Sequence, residues 1–180
     1  MTLFVANEER SEQIDSPNLK RAFGRVPSGV AAVCALLEDG DPGGVAVSTF
    51  TPASLEPPLV SICMQNTSTT WPRLRNARAL GVTILGSHQH GVARKLAGKS
   101  ERFAGVDWTT TPGAGVLISG GAVWLETSLY EEIPAGDHLV ALLEVQALTV
   151  FPEVEPLVFH ASGFRELRSV ADLTNKQDAS

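Results

Sequence analysis

The sequence predicts a mainly β protein, built as a closed or partly closed antiparallel barrel with a few short helices. Short apolar runs alternate with turn residues, and the chain holds 16 Gly and 11 Pro among its 180 residues. Stretches with helical spacing are few and short. Neighbouring apolar runs are joined by hairpin turns, whereas parallel strands need long crossover connections. This pattern favours a barrel over a parallel sheet.

Local residue chemistry predicts each element in turn. Three helices are predicted, at residues 17–23, 71–77 and 91–97. The first has Ser16 as its N-cap and Pro17 in its first turn, and the second has Thr70 and Pro72 in the same roles. Strands are predicted for the apolar runs at residues 30–37, 45–50, 59–64, 80–85, 122–133, 138–150 and 158–160. The turn residues at 38–44 and 134–137 predict two hairpins.

The length and composition predict one domain with its own core, since 43% of the residues are hydrophobic. We predict a packed domain over residues 17–168. The polar ends, residues 1–16 and 169–180, are predicted to be flexible segments. Several acidic side chains in the first segment argue against a signal peptide, and no run reaches the roughly 18 apolar residues that a membrane helix needs.

Charge and cysteine usage exclude several classes of function. The chain has 14 Lys and Arg against 20 Asp and Glu, a net charge of −6, with no basic cluster that would indicate nucleic-acid binding. Cys34 and Cys63 lie in apolar runs and lack disulfide or zinc spacing, so reduced thiols in a cytoplasmic protein are expected. An anionic ligand is expected to be held by local N–H groups and hydroxyls, because the overall charge would not attract it.

Several known motifs are incomplete. Residues 97–100 resemble the end of a phosphate-binding P-loop, but its first glycine would fall at Ala93. The third glycine of a dinucleotide fingerprint beginning at Gly113 is replaced by Ile118. His88 and His90 have no ligand partners at metal spacing, which favours a structural or surface role. No nucleophile motif is present, so a bound cofactor is expected to carry any redox chemistry.

Polar loops next to predicted strands are the candidate binding elements. Residues 66–70 are five small hydrogen-bonding side chains before a predicted helix, and they suit either a phosphate cradle or an ordinary capping loop. Residues 47–55 follow a predicted strand, and they either bind a flat heterocyclic ring or only connect two strands. Residues 100–108 form either a lid or a packed loop. Asp137 and His138 begin a long strand at a barrel rim, where they bind a ligand or merely cap the turn.

Taken together, these segments resemble the flavin reductase family of FMN-binding split barrels. Residues 48–60 resemble its SxFxxxSLxPPLV signature, and residues 68–71 resemble its hydroxyl-rich loop. Residues 99–108 resemble a family loop that contains [RK]-F-A-G, and residues 136–138 its G-D-H motif. The resemblance covers residues 18–165 and implies an antiparallel Greek-key split β-barrel.

The resemblance also implies roles for individual residues. Those facing the flavin ring and ribityl chain would be Val47, Ser48, Thr49, Phe50, Ala53 and Ser54. Those holding the flavin phosphate would be Gln65, Ser68, Thr69 and Thr70. Phe103 lies in the loop that closes over the flavin in the family, and His138 would sit near the nicotinamide. No side chain is assigned as a catalytic residue, and no metal is implied.

The activity that the resemblance implies is NAD(P)H-dependent reduction of FMN or FAD, with hydride passing from nicotinamide to flavin at a homodimer interface. The reduced flavin would serve a partner monooxygenase. One alternative is a split-barrel protein that holds its flavin without reducing free flavin, and another is an oxidase that uses bound FMN on a small amine. The sequence leaves open FMN or FAD, NADH or NADPH, and the partner's identity.

Overall fold

The computed structural model describes residues 14–169, which form three α-helices, one short 3₁₀ helix and twelve strands within that range. The helices are α1 (Ser16–Phe23), α2 (Trp71–Leu74) and α3 (His90–Ala97), and the 3₁₀ helix is Ser87–Gln89. The strands are β1 (Ser28–Gly29), β2 (Ala31–Leu36), β3 (Pro42–Val47), β4 (Thr51–Leu55), β5 (Pro58–Gln65), β6 (Leu80–Ile84), β7 (Trp108–Thr110), β8 (Val116–Ile118), β9 (Val123–Ala135), β10 (His138–Val150), β11 (Val158–His160) and β12 (Gly163–Arg165). The expected mainly β class is therefore confirmed.

The main sheet has seven strands in the order β3-β2-β6-β9-β10-β5-β4, and its neighbouring strands are antiparallel. Its two edges, β3 and β4, are consecutive along the chain and are joined by residues 48–50 alone. The sheet is open between these edges, so the described strands form no closed barrel, and the partly closed form of the expected barrel stays a prediction. A three-stranded sheet of β1, β11 and β12 and the β7–β8 hairpin complete the β structure.

Strand β2 lies at the centre of the core because both of its faces are buried. Ala31 and Val33 pack into one hydrophobic cluster, while Ala32 and Cys34 pack into a second cluster on the opposite face. A strand covered on both faces needs a continuous apolar run, which explains why this segment lacks the alternation of a surface strand. Burial raises the pKa of the Cys34 thiol to about 12, so this cysteine stays protonated at neutral pH.

Several predicted boundaries are wrong by one to three positions. The N-cap of α1 is Asp15 rather than Ser16, since the Asp15 carboxylate accepts the Asn18 backbone N–H at 2.9 Å. The strand predicted at residues 45–50 is β3, which begins and ends three residues earlier. The turn before it is shorter than the seven turn residues at 38–44 indicated. The helix predicted at 71–77 ends at Leu74. Strands β1, β4, β7, β8 and β12 were not predicted; β1 has two residues, β4 has five and the other three have three each.

The remaining expectations concern the ends of the chain and the histidines. The two terminal segments lie almost entirely outside residues 14–169, so their flexibility stays a prediction. His88 and His90 lie in the 3₁₀ helix and at the start of α3, and no metal-binding cluster of His, Cys, Asp or Glu forms among the described residues. Within residues 14–169 the helices are all too short or too polar to cross a bilayer.

Candidate functional site

A cavity of about 770 Å³ opens beside the gap between the two sheet edges. This volume lies in the range typical of small-molecule and cofactor sites. Four segments line it: residues 45–49 from the end of β3, 63–65 from the end of β5, the loop 67–70, and 97–99 with Arg102 beyond α3. His138, the first residue of β10, completes the lining. The cavity therefore lies beside the predicted ends of the strands at residues 45–50 and 59–64 and the predicted start of the strand at 138–150.

The floor of the cavity is apolar and rigid. Val47 and Met64 are buried, and both pack into the hydrophobic cluster that contains Ala31 and Val33. Thr49 fastens the end of β3 to β5, because its hydroxyl accepts the Cys63 N–H at 2.9 Å and lies 3.2 Å from the Cys63 carbonyl oxygen. The Thr49 side chain thus bonds to Cys63 beyond the part of β5 that pairs with β4, and its hydroxyl is already engaged in holding the wall.

Hydroxyl groups line one side of the cavity, in a segment that we call the hydroxyl loop (residues 67–70). The Ser68 hydroxyl accepts the Trp71 N–H at 3.1 Å, and Thr70 accepts a bond from Arg102. A hydroxyl that accepts one bond can still donate its own proton. Thr67 and Thr69 are exposed, and no hydrogen bond of their side chains is found within residues 14–169. Since α2 is a single turn, these hydroxyls, rather than a helix dipole, are the donors available to an anion.

Two cations, Lys99 and Arg102, line the cavity next to the hydroxyl loop, in a segment that we call the cationic loop (residues 99–102). The half-buried Arg102 donates to Gly98 O at 2.6 Å, to Gly44 O at 2.7 Å and to the Thr70 hydroxyl at 2.5 Å. Lys99 is exposed and also lines the cavity. Lys99 and Arg102 therefore add two cations to the hydroxyls and N–H groups that were expected to hold an anion, and that expectation stays a prediction. The two basic residues were present in the quoted 99–108 segment, but their side chains were given no role.

The turn of the β9–β10 hairpin places a hydrogen-bonded pair, Asp137 and His138, at the cavity rim. His138 Nδ1 lies 2.7 Å from a carboxylate oxygen of Asp137, and the His138 side chain is 34% exposed. The hydrogen bond and charge of His138 lower the pKa of the Asp137 carboxyl below its usual value. The Asp137 carbonyl also accepts the Asn66 N–H at 3.0 Å, so this turn and the start of the hydroxyl loop hold each other in place.

A partly buried carboxylate supports the hydroxyl loop from behind. Glu132 on β9 accepts the Trp71 indole N–H at 2.6 Å and forms an ion pair with Arg75. Trp71 is only 2% exposed and follows directly after Thr70. The contact therefore fixes the C-terminal end of the hydroxyl loop to the main sheet.

The structure brings together eight of the twelve residues to which the sequence gave a binding role: Val47, Ser48, Thr49, Gln65, Ser68, Thr69, Thr70 and His138. The other four lie outside the cavity lining. Phe50 packs against the first core cluster and Phe103 against the second. Ala53 is exposed on β4, and the Ser54 hydroxyl accepts the Glu56 N–H at 3.2 Å. Phe103 is therefore part of the core wall in this structure, and the assignment of these twelve residues to ligands stays a prediction.

The lining residues that the sequence did not single out are of two kinds. Small or apolar ones extend the floor, namely Val45, Ala46, Cys63, Met64, Ala97 and Gly98, while Lys99 and Arg102 are basic. Thr67, which also lines the cavity, belongs to residues 66–70, for which the sequence left a phosphate cradle and a capping loop open. The period-two alternation of β5 could have indicated Cys63 and Gln65 as one face, because successive side chains of a strand point to opposite sides. Residues 97–99 gave no such signal, since only the fold brings the end of α3 to the cavity.

Together, this architecture defines a class of protein: an antiparallel β domain with one cavity whose apolar floor and polar, cationic rim suit a ligand with an apolar ring and an anionic tail. The chain belongs to a family described as flavin reductase like domain, whose model matches residues 23–168. It is 34% identical to a flavin reductase of Pseudomonas putida over 161 residues, which cover 89% of this chain and 95% of that protein.

Two further relatives match over most of their length. The reductase subunit HsaB of a flavin-dependent monooxygenase from Rhodococcus jostii is 31% identical, with 83% of this chain and 77% of that protein covered. The structure is similar, with a TM-score of 0.82 and 32% identity, to the NADH:FAD oxidoreductase SgcE6 of Streptomyces globisporus in complex with NAD and FAD fragments. That match covers 90% of this chain and all of that chain.

Proposed function

We propose that this chain is an NAD(P)H-dependent flavin reductase that reduces FMN or FAD in the described cavity and passes the reduced flavin to a partner monooxygenase. The observation that carries this function is the juxtaposition of an apolar floor with an anion-binding rim in one cavity of a flavin reductase family member. The relatives support the activity, since one is named an NADH:FAD oxidoreductase and another the reductase subunit of a flavin-dependent monooxygenase.

The residues fit a flavin on chemical grounds. A flat, largely apolar ring suits a floor of Val47 and Met64, while a phosphate suits the hydroxyl loop and the cationic loop, which adjoin at the Arg102–Thr70 hydrogen bond. Charge-assisted hydrogen bonds from Arg102 and Lys99 are stronger than those between neutral groups. We therefore assign the phosphate to the rim beside the Thr70–Arg102 pair, and the ring to the strand ends.

The chemistry itself is supplied by the bound groups, with hydride passing from nicotinamide to flavin. The chain's residues bind, orient and shield them. The buried side chains of the floor exclude water, and the fastening of Thr49 to Cys63 keeps the floor from moving. His138 stands at the rim with Asp137 behind it, and we assign to it the contact with the nicotinamide end of the dinucleotide. Such positioning lowers the barrier without a nucleophile or a general base.

We further propose that the chain works as a homodimer in the cytoplasm. Strand β9 pairs with β6 only over residues 123–127, and β10 pairs with β5 only over 138–144. The rest of each strand therefore has one edge that faces no other strand of the described chain, and unpaired edges favour association. Exposed apolar side chains lie on these same stretches, namely Tyr130, Ile133, Leu148 and Val150. The two free thiols support a cytoplasmic location.

The test of the activity is the rate of NADH or NADPH oxidation by the purified protein with added FMN or FAD. We expect turnover well above the rate without protein. No oxidation with either flavin, under anaerobic conditions where reduced flavin accumulates, would contradict the proposal. Flavin that stays bound through gel filtration without any turnover would instead support a protein that only holds its cofactor.

The same assay tests the role of His138. We expect His138→Ala to raise the apparent KM for NAD(P)H several-fold and to change the KM for flavin much less, because the imidazole is assigned to the dinucleotide. His160→Ala is a suitable control, because His160 on β11 lies outside the cavity lining and its ring is hydrogen-bonded to the Arg25 carbonyl oxygen. Equal effects of His138→Ala on both KM values would show that the residue maintains the shape of the cavity instead.

A further inference from the structure

We propose that a second cavity, separate from the one assigned to flavin, binds a planar aromatic carboxylate. This cavity, which we call the aromatic pocket, has a volume of about 420 Å³, within the range typical of small-molecule sites. It shares no lining residue with the flavin cavity. The two cavities adjoin different ends of helix α3, because its first residue, His90, lines the aromatic pocket and its last, Ala97, lines the flavin cavity. A ligand held in the aromatic pocket would therefore not occupy the space assigned to flavin.

One wall of the aromatic pocket is a phenyl ring whose position is fixed by its neighbours. Phe164 on β12 is half-buried and lines the pocket. The Phe159 ring meets it edge-on with 5.5 Å between the ring centres, and the Arg94 guanidinium lies over it, 5.6 Å from its centre. Neither Phe159 nor Arg94 lines the pocket, so they hold the ring from outside. A fixed aromatic ring favours a flat aromatic ligand, which can pack against it in an offset or edge-to-face arrangement.

The rest of the lining combines a buried apolar residue with a second ring and a hydroxyl. Leu157 is only 1% exposed and gives the pocket an apolar surface. The His90 ring lies 6.3 Å from the Phe164 ring, centre to centre, so two rings border the same space. Ser87 is half-buried, and its hydroxyl makes no hydrogen bond within residues 14–169. This lining suits an aromatic ring that carries a polar substituent.

Two guanidinium groups and one carboxylate supply the charge of the aromatic pocket. Arg165 and Arg168 both line it. The Arg168 side chain makes no hydrogen bond or ion pair with the part of the chain that the structure describes, and Arg165 donates only to the carbonyl oxygen of the adjacent Phe164, at 3.3 Å. Both can therefore donate to a carboxylate, which a guanidinium binds through two parallel hydrogen bonds. Glu166 also lines the pocket, and its charge favours a ligand with one negative charge over a phosphate with two.

The experiment uses benzoate as the probe and measures its binding to the full chain by isothermal titration calorimetry, without flavin or dinucleotide. We expect saturable binding at one site per chain. Benzamide has the same ring without the charge and should bind at least about tenfold more weakly, because the bonds to the guanidinium groups lose their charge assistance. Cyclohexanecarboxylate keeps the charge without the flat ring and should bind several-fold more weakly than benzoate.

Four variants test the residues of the aromatic pocket. Replacing Arg165 and Arg168 together by Ala should raise the dissociation constant of benzoate at least about tenfold. Phe164→Leu keeps an apolar side chain and removes the ring, so it should abolish the preference for benzoate over cyclohexanecarboxylate. Glu166→Gln should act in the opposite direction and tighten benzoate binding, because it removes a repulsive charge. Arg78→Ala is the matched control, since it removes an exposed guanidinium from outside the pocket and should change nothing.

The inference would be overturned if benzoate showed no saturable binding, if benzamide or cyclohexanecarboxylate bound as tightly as benzoate, or if the double arginine variant bound benzoate unchanged. Displacement of benzoate by AMP or NAD⁺ would also overturn it, because the pocket would then belong to a nucleotide. Displacement by FMN would place benzoate in the flavin cavity, with the same consequence. None of these outcomes depends on turnover, so a failure of flavin reduction itself would be recognised separately.

Discussion

The two sides of the phosphate position are built in different ways, although they meet at one hydrogen bond. The hydroxyl loop follows directly after β5 and is uncharged, whereas the cationic loop follows α3 and is separated from it by 32 positions between Thr70 and Arg102. The first side can be recognised in a short stretch of sequence. The second side becomes visible only when the fold brings α3 against β3. An anion site of this kind therefore has to be assessed as a pair of loops.

The comparison also shows how little the net charge says about a local field. The chain carries a net charge of −6, yet two cations face the hydroxyl loop. At physiological ionic strength exposed charges more than about 8 Å apart are largely screened. Arg102 is half-buried and held by three hydrogen bonds, so its charge is less screened than that of an exposed side chain. The neighbouring groups decide the electrostatics of the rim.

The largest expected effect comes from the cationic side. Arg102→Ala should raise the dissociation constant of flavin by about 100-fold, corresponding to about 3 kcal/mol for the loss of a charge-assisted contact in a partly buried site. Arg102→Lys should recover only part of this loss, because a lysine cannot reproduce the planar fork that holds Gly98, Gly44 and Thr70. Fluorescence titration of flavin gives both values.

Arg94→Ala is the control for the loss of a positive charge near α3. Arg94 is exposed on the helix and lies over the Phe164 ring, 5.6 Å from its centre, outside the cavity lining. We expect its removal to change flavin binding by less than about twofold, as is usual for a remote exposed charge. If Arg102→Ala had no greater effect than Arg94→Ala, the phosphate would have to lie elsewhere.

A smaller effect is expected from the hydroxyl side. Replacing Ser68 and Thr70 together by Ala should weaken flavin binding by about 2 kcal/mol, roughly 30-fold, because two donors to the phosphate are lost. The matched control is the double replacement of Thr109 and Thr110 by Ala on β7, which lies outside the cavity lining. Binding that survives the first double replacement would mean that the cationic loop holds the anion without the hydroxyls.

The sequence was most informative where chemistry and fold are local. The long β9–β10 hairpin, both of whose strands were predicted to within two residues of their ends, follows from two long apolar runs around one turn. The hydroxyl loop follows from consecutive Ser and Thr residues. Phe103 could not be placed from the sequence, since an aromatic in a polar loop suits a lid and a core contact equally. The structure distinguishes these two possibilities, because the Phe103 ring packs closely against Gly44. A Cβ atom on Gly44 would lie 3.0 Å from that ring.

The smallest expected effect on binding comes from the support behind the hydroxyl loop. Glu132→Ala leaves the buried Trp71 indole N–H without its acceptor, which should lower the free energy of unfolding by about 1 to 3 kcal/mol. Flavin binding should weaken by only about threefold, because Ser68 still accepts the Trp71 backbone N–H at the end of the loop. Thermal unfolding and flavin titration measure the two effects separately.

Two further variants determine how the Glu132 contact acts on the binding site. Glu132→Gln keeps an oxygen for the indole and loses only the ion pair with the more exposed Arg75, so most of the stability should return. Glu131→Ala removes an exposed carboxylate from the neighbouring position of β9 and should change neither quantity. If Glu132→Ala weakened flavin binding as strongly as the loss of both hydroxyls, the hydroxyl loop would depend on the sheet for its shape. The two sides of the phosphate position would then be alike, since Arg102 already draws its geometry from β3 and α3.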